Sequence, residues 1–286
     1  MPQMHQIQMS PVGRFERFLV PTDGSEYSRG AERVALAMCK LSGARLIAMR
    51  AIVKSAGALG FMTPEADAKL EEEANEQLAR LAEEAKAAGV ACETMLQSAD
   101  DPYQAIVKAA RDTLADMIIM GRRGRRGLAR LMLGDATAKV MGYAPCPVMV
   151  VPESAGMWSR MLVATDGSRS SDAATVTATS MAKCCDVPVT ILSVRVPSHS
   201  ERRQAEAQPI VARAVAYMAQ EGVTAEGLVE DGIADEVIVD VANRLGDALV
   251  ILGSHGRTGI GRVLFGSKTE RVINYSAGPV LVVGGA

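Results

Sequence analysis

The sequence predicts an α/β protein made of two similar units in tandem, and two observations lead to this prediction. Short apolar segments alternate with longer amphipathic ones along the chain, which is the pattern of parallel strands joined by helices. The motif Thr22-Asp23-Gly24-Ser25 recurs as Thr165-Asp166-Gly167-Ser168, each copy directly after a short apolar run. One unit is therefore repeated within the chain.

The repeat includes the later strands of each unit. The segment Asp116–Gly121 recurs as Asp247–Gly253 with one extra residue, and Pro147–Val151 recurs as Pro279–Val283. The repeating unit spans roughly 130 to 140 residues, an ordinary length for one domain. We therefore divide the chain into a polar N-terminal tail over residues 1–16, a first domain over 17–152, a linker over 153–158 and a second domain over 159–286.

The elements of the first unit follow in order. Strands are predicted near residues 17–21, 44–53, 90–97, 115–120 and 147–151, and helices near 27–41, 66–88, 102–112 and 135–142. The helix at 66–88 has the clearest pattern, because Leu70, Leu78 and Leu81 share one face while glutamates cover the other. Gly89 follows it, where a left-handed residue ends a helix. Five strands interleaved with helices predict an open parallel sheet of the Rossmann-like type, whose ligands bind at the carboxyl ends of the strands.

A glycine-rich loop follows the fourth strand of the second unit, with the spacing Gly253-x2-Gly256-x9-Gly266-Ser267. A strand, a glycine-rich loop and a helix N-terminus together form an anion site, because the first N–H groups of the helix point at the ligand. The spacing fits neither the Walker A motif nor the dinucleotide fingerprint. Ser267 and Glu270 also have the spacing of a capping box, with Ser267 as the N-cap.

The loop resembles the nucleotide loop of the universal stress protein family, G-x2-G-x9-G-(S/T), and the resemblance extends from about Arg17 to about Gly284. It implies an adenine nucleotide, ATP first and with Mg²⁺ as an optional companion, bound mainly in the second domain. In the family pattern Asp166 faces the nucleoside, the backbone of Val194 meets the adenine edge, and Ser267 faces a phosphate. The implied nucleotide-binding residues are Ala164, Thr165, Asp166, Val194, Leu252, Gly253, Gly256, Arg257, Gly266, Ser267, Lys268 and Thr269.

Several of these residues have a purely structural alternative. Asp166 could equally be a turn residue before a helix, since Asp is favoured in turns. Val194 could equally be a strand residue that packs in the core. His255 could contact a phosphate, but a surface position is the simpler interpretation. These alternatives stay open at the level of sequence.

The first unit departs from the pattern at one position, because its loop reads Gly121-x2-Gly124-x9-Gly134 and then Asp135 in place of Ser or Thr. Asp is a strong N-cap, but its carboxylate would repel a phosphate by roughly 1 to 4 kcal/mol at about 4 Å. The arginines 122, 123, 125 and 126 could restore anion binding, pair with Asp135 or recruit another acidic ligand. We expect a weaker or altered site formed by Pro21, Thr22, Asp23, Ala51, Gly121, Gly124 and Gly134.

Composition limits the other functions. The net charge is −2 and only 3% of residues are aromatic, so the arginine cluster is a poor candidate for a nucleic-acid surface. No apolar window is long enough to span a membrane, and the polar start of the chain lacks the apolar segment of a leader.

The five cysteines form no C-x-x-C pair. We expect free thiols in a cytoplasmic protein, with a redox role of the adjacent Cys184 and Cys185 as the alternative.

The sequence shows no nucleophile–base pair, no Cys/His metal spacing and no paired carboxylates, so an enzyme is not expected. The leading hypothesis is a nucleotide-binding regulatory stress protein. The alternatives are a slow metal-dependent ATP hydrolase or phosphotransferase, and a ligand-free scaffold for protein contacts.

We also expect the valine-rich last strands of the two units to pair as an internal pseudo-dimer, since unpaired apolar edges aggregate. Pairing of two whole chains is left open, as is the choice between a flap and a plain loop for Lys54–Pro64.

Overall fold

The computed structural model describes residues 15–53, 64–123, 133–256 and 266–284. Each unit alternates strands with helices, as the sequence pattern predicts. In the first unit the elements are β1 (Arg17–Pro21), a short 3₁₀ turn (Glu26–Ser28), α1 (Arg29–Ser42), β2 (Arg45–Val53), α2 (Pro64–Ala87), β3 (Cys92–Ala99), α3 (Pro102–Asp112), β4 (Met117–Gly121), α4 (Asp135–Tyr143) and β5 (Val148–Val151). In the second unit they are β6 (Arg160–Ala164), α5 (Arg169–Cys185), β7 (Val189–Arg195), α6 (Glu201–Ala205), α7 (Ala207–Gln220), β8 (Ala225–Asp231), α8 (Ala234–Leu245), β9 (Ala248–Gly253), α9 (Ser267–Tyr275) and β10 (Val280–Val283).

The strands form one ten-stranded sheet in the order β3-β2-β1-β4-β5-β10-β9-β6-β7-β8. Neighbours within each unit are parallel, whereas β5 and β10 pair antiparallel, with Leu281 opposite Met149. The predicted pairing of the two last strands is therefore confirmed. In each unit the chain returns past its first strand to place the fourth, so strand order reverses between β1 and β4 and between β6 and β9. Ligands of such sheets bind at this reversal.

The core has two layers, one on each face of the sheet. Helices α1, α2, α5 and α7 cover one face, and α3, α4, α8 and α9 cover the other. The central strands β4 and β9 are buried along almost their whole length, which explains their continuous apolar sequences. Gly89 ends α2 with φ of +73°, as its position predicts.

Two helices begin differently from the prediction. Ser267 and Asp135 were expected as N-caps, but each is the first helical residue and the N-cap is the preceding glycine. Gly266 has extended backbone angles and its carbonyl accepts the first helical hydrogen bond, from Glu270 at 3.1 Å. The N–H of Gly266 in turn donates to the carbonyl of Ser254 at 2.9 Å. This loop contact holds Gly266 outside the helix as its N-cap, so the helix begins at Ser267, whose side chain does not cap it.

No helix within the described ranges is both long and apolar enough to cross a membrane.

Candidate functional site

A cavity of about 280 Å³ lies at the carboxyl ends of β6, β7 and β9, at the strand reversal of the second unit. One wall is the turn after β6, the second is the end of β7 with the segment that follows it, and the third is the glycine loop with the first turn of α9. Its lining is mixed, with apolar side chains at the base and polar groups at the rim, as in small-molecule sites generally. The base is formed by Leu192, Ile210, Ile238, Leu252 and Val272.

The turn after β6 is held by its own side chains. The Oδ1 atom of Asp166 accepts the N–H of Ser168 at 3.0 Å, and Thr165 Oγ1 lies 3.1 Å from Ser171 Oγ. Gly167 completes the turn with φ of +72°, in the left-handed region that glycine adopts without strain. Asp166 is thus a turn residue and also lines the cavity, so both interpretations of this residue apply together.

Each of the two glycines that begin the loop has a close neighbour at the place where a Cβ would lie. A Cβ on Gly253 would lie 2.5 Å from Ser170 Oγ and 2.8 Å from the backbone of Ser170, so this glycine lets β9 pack against the start of α5. A Cβ on Gly256 would lie 2.9 Å from Oδ2 of Asp166. Gly253 therefore serves packing as much as ligand approach, whereas Gly256 keeps space open beside the Asp166 carboxylate.

The first turn of α9 forms the wall opposite. Ser267 and Lys268 are exposed at the rim of the cavity, whereas Thr269 is buried. The Thr269 hydroxyl donates to the carbonyl of Gly253 at 3.3 Å. Thr269 thus ties α9 to the loop, and its hydroxyl is engaged by that contact. The remaining N–H groups of the first turn face the region where an anion would be stabilised by the helix dipole.

The segment after β7 brings basic side chains that the sequence pattern did not single out. His199 and Arg203 line the cavity from the segment that includes α6, and Lys268 lines it from α9. Burial lowers the pKa of His199, and the positive charges of Arg203 and Lys268 lower it further. In the part of the chain that the structure describes, Arg203 and Lys268 form no ion pair. The signal that could have found this segment is its place directly after a strand, since every such loop reaches the carboxyl edge of the sheet.

The cavity brings together all of the second-unit residues named from the sequence that the structure describes. His255, for which a surface position was the simpler interpretation, is half-buried and lines the cavity, with its Nδ1 3.1 Å from Ser254 Oγ. Arg257 lies outside the described residues. The lining contains Ala164, Thr165, Asp166, Val194, Leu252, Gly253, Gly256, Gly266, Ser267, Lys268 and Thr269.

The corresponding region of the first unit carries different side chains. Arg50 stands where the second unit has the buried Ser193, and its Nη1 lies 3.4 Å from the carbonyl of Thr22. The side chain of Gln77 packs against Gly24, leaving no room for a Cβ there. The other residues predicted for this site, Pro21, Asp23, Ala51, Gly121 and Gly134, lie at the corresponding strand ends and helix start, while Gly124 falls outside the described residues.

Asp135 is the first residue of α4, at the helix start where a carboxylate was expected to repel a phosphate. Its side chain is 79% exposed and pairs with Lys139 at 2.8 Å, one helical turn away. The hydrogen bonds that Lys139 donates to the carboxylates of Asp135 and then Asp101 raise its pKa. Of the arginines in this loop, Arg122 turns away from Asp135 and contacts the second unit.

Metal and thiol chemistry receive no support from the described residues. Among them, no cluster of three or more His, Cys, Asp or Glu side chains could hold a metal ion. All five cysteines are free, and burial raises the pKa of the Cys185 thiol to about 11. A raised thiol pKa disfavours the reactive thiolate, which weakens the redox alternative for Cys184 and Cys185.

The mostly parallel sheet and the glycine-rich loop at its strand reversal define a tandem protein of the Rossmann-like class. The chain belongs to the universal stress protein family, because the model of that family matches it twice, over residues 14–152 and 157–284.

Two relatives of known sequence are matched over a stretch about as long as one unit. A universal stress protein of Thermus aquaticus is 36% identical over 137 residues, which is 48% of this chain and 98% of that protein. One from Methanocaldococcus jannaschii is 32% identical over 145 residues, covering 48% of this chain and 82% of the relative. Each of these two relatives therefore matches about half of this chain.

Solved structures also match the tandem arrangement. A universal stress protein from Archaeoglobus fulgidus superposes with a TM-score of 0.78 at 23% identity, covering 94% of this chain and 98% of that one. A putative universal stress protein from Pseudomonas aeruginosa gives a TM-score of 0.65 at 21% identity, with coverage of 94% and 93%. At these identities the likeness establishes the fold. Another solved family member, similar to 46% of this chain, was crystallised in complex with cAMP.

Proposed function

We propose that this chain is a regulatory stress-response protein that binds ATP or a related adenine nucleotide, mainly in the cavity of the second unit. One observation carries the proposal: Asp166, the end of β7 at Val194 and the N-terminus of α9 line a single cavity at the strand reversal. The carboxylate is suited to a ribose or an amino group, the strand end to a flat base, and the helix start to a phosphate.

The charge of the rim supports a phosphorylated ligand. Arg203 and Lys268 face the cavity without an ion-pair partner among the described residues, and Asp166 is the carboxylate that lines it. Two unpaired cations beside a helix N-terminus favour an anion by direct attraction. Mg²⁺ is usually held by one or two carboxylates together with the phosphates of a ligand, so in this proposal it would accompany the nucleotide.

The preference for the second unit is part of the same proposal. The support for it is the first-unit region itself, where Arg50 replaces Ser193 and Gln77 packs against Gly24. We propose that the protein acts in the cytoplasm, where its free thiols would remain reduced.

The two units provide a matched test, because Asp23 and Asp166 occupy equivalent positions. Freshly purified wild type is denatured and the released nucleotide is identified and counted by mass spectrometry, and refilling of emptied protein is followed by calorimetry. The Asp166→Ala variant should release little adenine nucleotide and bind it weakly, while Asp23→Ala should match the wild type. Equal loss in both variants would contradict the preference for the second unit, and wild type that neither carries nor binds nucleotide would refute the proposed function.

A further inference from the structure

Arg122 leaves the glycine loop of the first unit and reaches a helix end in the second. Its Nη1 donates to the carbonyl of Asn274 at 3.1 Å and its Nη2 to the carbonyl of Ser276 at 2.5 Å. Ser276 is the C-cap of α9. Arg122, the residue after the first glycine of the first-unit loop, is therefore bound to α9, the helix that follows the glycine loop of the second unit.

The contact has the chemistry of a helix C-terminal cap. The last carbonyls of a helix lack partners within it, and the negative end of the helix dipole attracts a cation. Burial lowers the pKa of Arg122 to about 10, with the neighbouring Arg123 adding to the effect. The guanidinium still carries its charge at neutral pH, so its two hydrogen bonds are charge-assisted.

The backbone of Arg122 is held in place by hydrogen bonds within the first unit. The N–H of Arg122 donates to the carbonyl of Val151 in β5 at 3.1 Å, and its carbonyl accepts the N–H of Gly134 at 3.0 Å. Gly134 is the N-cap of α4. The backbone of Arg122 is thus held on both sides, and its side chain transmits that fixed position to Ser276.

The opposite end of α9 is the phosphate side of the proposed site. Helix α9 has nine residues, from Ser267 to Tyr275, and a helix of that length is about 13 Å long and moves as one body. Ser267, Lys268 and Thr269 at its start line the cavity. A shift at the C-terminal end therefore reaches the N–H groups that would meet a phosphate.

The second unit makes no matching use of its own loop at this position. Ser254 is the counterpart of Arg122, and its short side chain contacts the neighbouring His255 Nδ1 at 3.1 Å. Helix α4, the counterpart of α9, ends at the C-cap Ala144. The tie between the units through this loop position therefore runs from the first unit to the second.

We propose that Arg122 is a positioning residue for the nucleotide site of the second unit, and that the first-unit loop holds α9 through it instead of binding an anion. The inference rests on the proposed function, since it concerns the same site. It assigns a role to a loop that keeps its glycine spacing while its region is otherwise altered.

The test uses the full chain with Arg122→Met, which keeps a long side chain but removes the donors, beside Arg122→Lys and the neighbouring charge control Arg123→Met. Calorimetry measures the affinity for ATP and for adenosine. Because α9 contributes to the phosphate side only, Arg122→Met should weaken ATP binding about 3- to 30-fold and leave adenosine binding unchanged. Arg122→Lys should recover part of the loss, and Arg123→Met should bind both ligands as the wild type does.

Hydrogen exchange separates this role from general destabilisation. In Arg122→Met, faster exchange should be confined to the amides of α9, with the β6 and β9 amides protected as in the wild type. Wild-type ATP affinity in Arg122→Met, or an equal loss for ATP and adenosine, would overturn the inference while leaving the proposed function intact. Failure of the wild type to bind either ligand would instead refute the proposed function. If Arg122→Met does not fold, Arg122→Lys answers the same question through the ratio of the two affinities.

Discussion

A methyl group on Gly256 would lie 2.9 Å from Oδ2 of Asp166, while Oδ1 of that carboxylate accepts the N–H of Ser168 at 3.0 Å. The loop after β9 and the turn after β6 therefore meet at one carboxylate. Gly256 is not in a left-handed conformation, so a side chain at this position would act through the space that it takes from the Asp166 carboxylate.

The first prediction follows from this contact. Gly256→Ala should push the Asp166 carboxylate out of place and weaken adenine-nucleotide binding about 10- to 100-fold, the loss of a hydrogen bond to a charged group. The measurement is calorimetric titration with ATP. Gly156→Ala is the control, because nothing lies within 4 Å of a Cβ at that position. Unchanged affinity in Gly256→Ala would contradict the expectation that a methyl group here displaces the Asp166 carboxylate from its binding position.

The second prediction concerns the cationic rim. Arg203→Gln and Lys268→Gln should each weaken ATP binding about 3- to 10-fold, because each removes a solvent-accessible charge facing the phosphates. Binding of cAMP, which carries a single negative charge, should change less, and the salt dependence of ATP binding should become shallower. Arg202→Gln, on the same helix but 93% exposed and paired with Glu206, is the matched control. Equal effects on ATP and cAMP would contradict selection by charge.

A pH effect provides the third prediction. In the free protein, burial and the cations Arg203 and Lys268 lower the pKa of His199. A bound polyphosphate would offset those cations and raise the pKa of His199, so binding would take up a proton. The affinity for ATP should therefore increase as the pH falls through the pKa that His199 has in the complex. Above that pKa this gain in affinity is lost.

The control for the pH effect is His199→Gln. ATP itself titrates, and Asp166 and His255 also face the cavity, but these groups are common to both proteins. Between about pH 8 and about pH 5.5, where histidine titrates, the wild type should gain more affinity than His199→Gln. Parallel pH profiles for the two proteins would exclude His199 as the source.

Most of the fold could be predicted from the sequence because its signals are local. The apolar runs at β4 and β9 and the periodicity of α2 each report directly on burial of a strand or a helix face. Their predicted bounds differ from the observed ones by a few residues. The pairing of β5 with β10 followed from the apolar edges that would otherwise remain open.

Other features depend on contacts that no local pattern reports. Helix α6 has five residues and a polar sequence, too short to show a periodicity, so Arg203 was not recognised as a cavity residue. The contact between Arg122 and Ser276 joins residues 154 positions apart. The N-caps of α4 and α9 were misplaced because a backbone hydrogen bond from the preceding glycine, not side-chain preference, sets the helix start.

The fourth prediction concerns an ion pair of the first unit whose carboxylate, that of Glu32, is buried. The Glu32 carboxylate is 2% exposed, accepts the Thr22 hydroxyl at 2.6 Å and pairs with Arg80 at 2.9 Å. Because Arg80→Met leaves that carboxylate buried without its cation, unfolding in urea should show that the free energy of unfolding falls by about 2 to 4 kcal/mol, less than for a fully enclosed pair.

The second unit has Thr175 at the position of Glu32, so Arg80→Met/Glu32→Thr should recover most of the stability. Arg213→Met, which breaks an exposed pair with Asp172, should cost less than about 1 kcal/mol. Equal losses in the single variants Arg80→Met and Arg213→Met would show that burial of Glu32 has no energetic consequence.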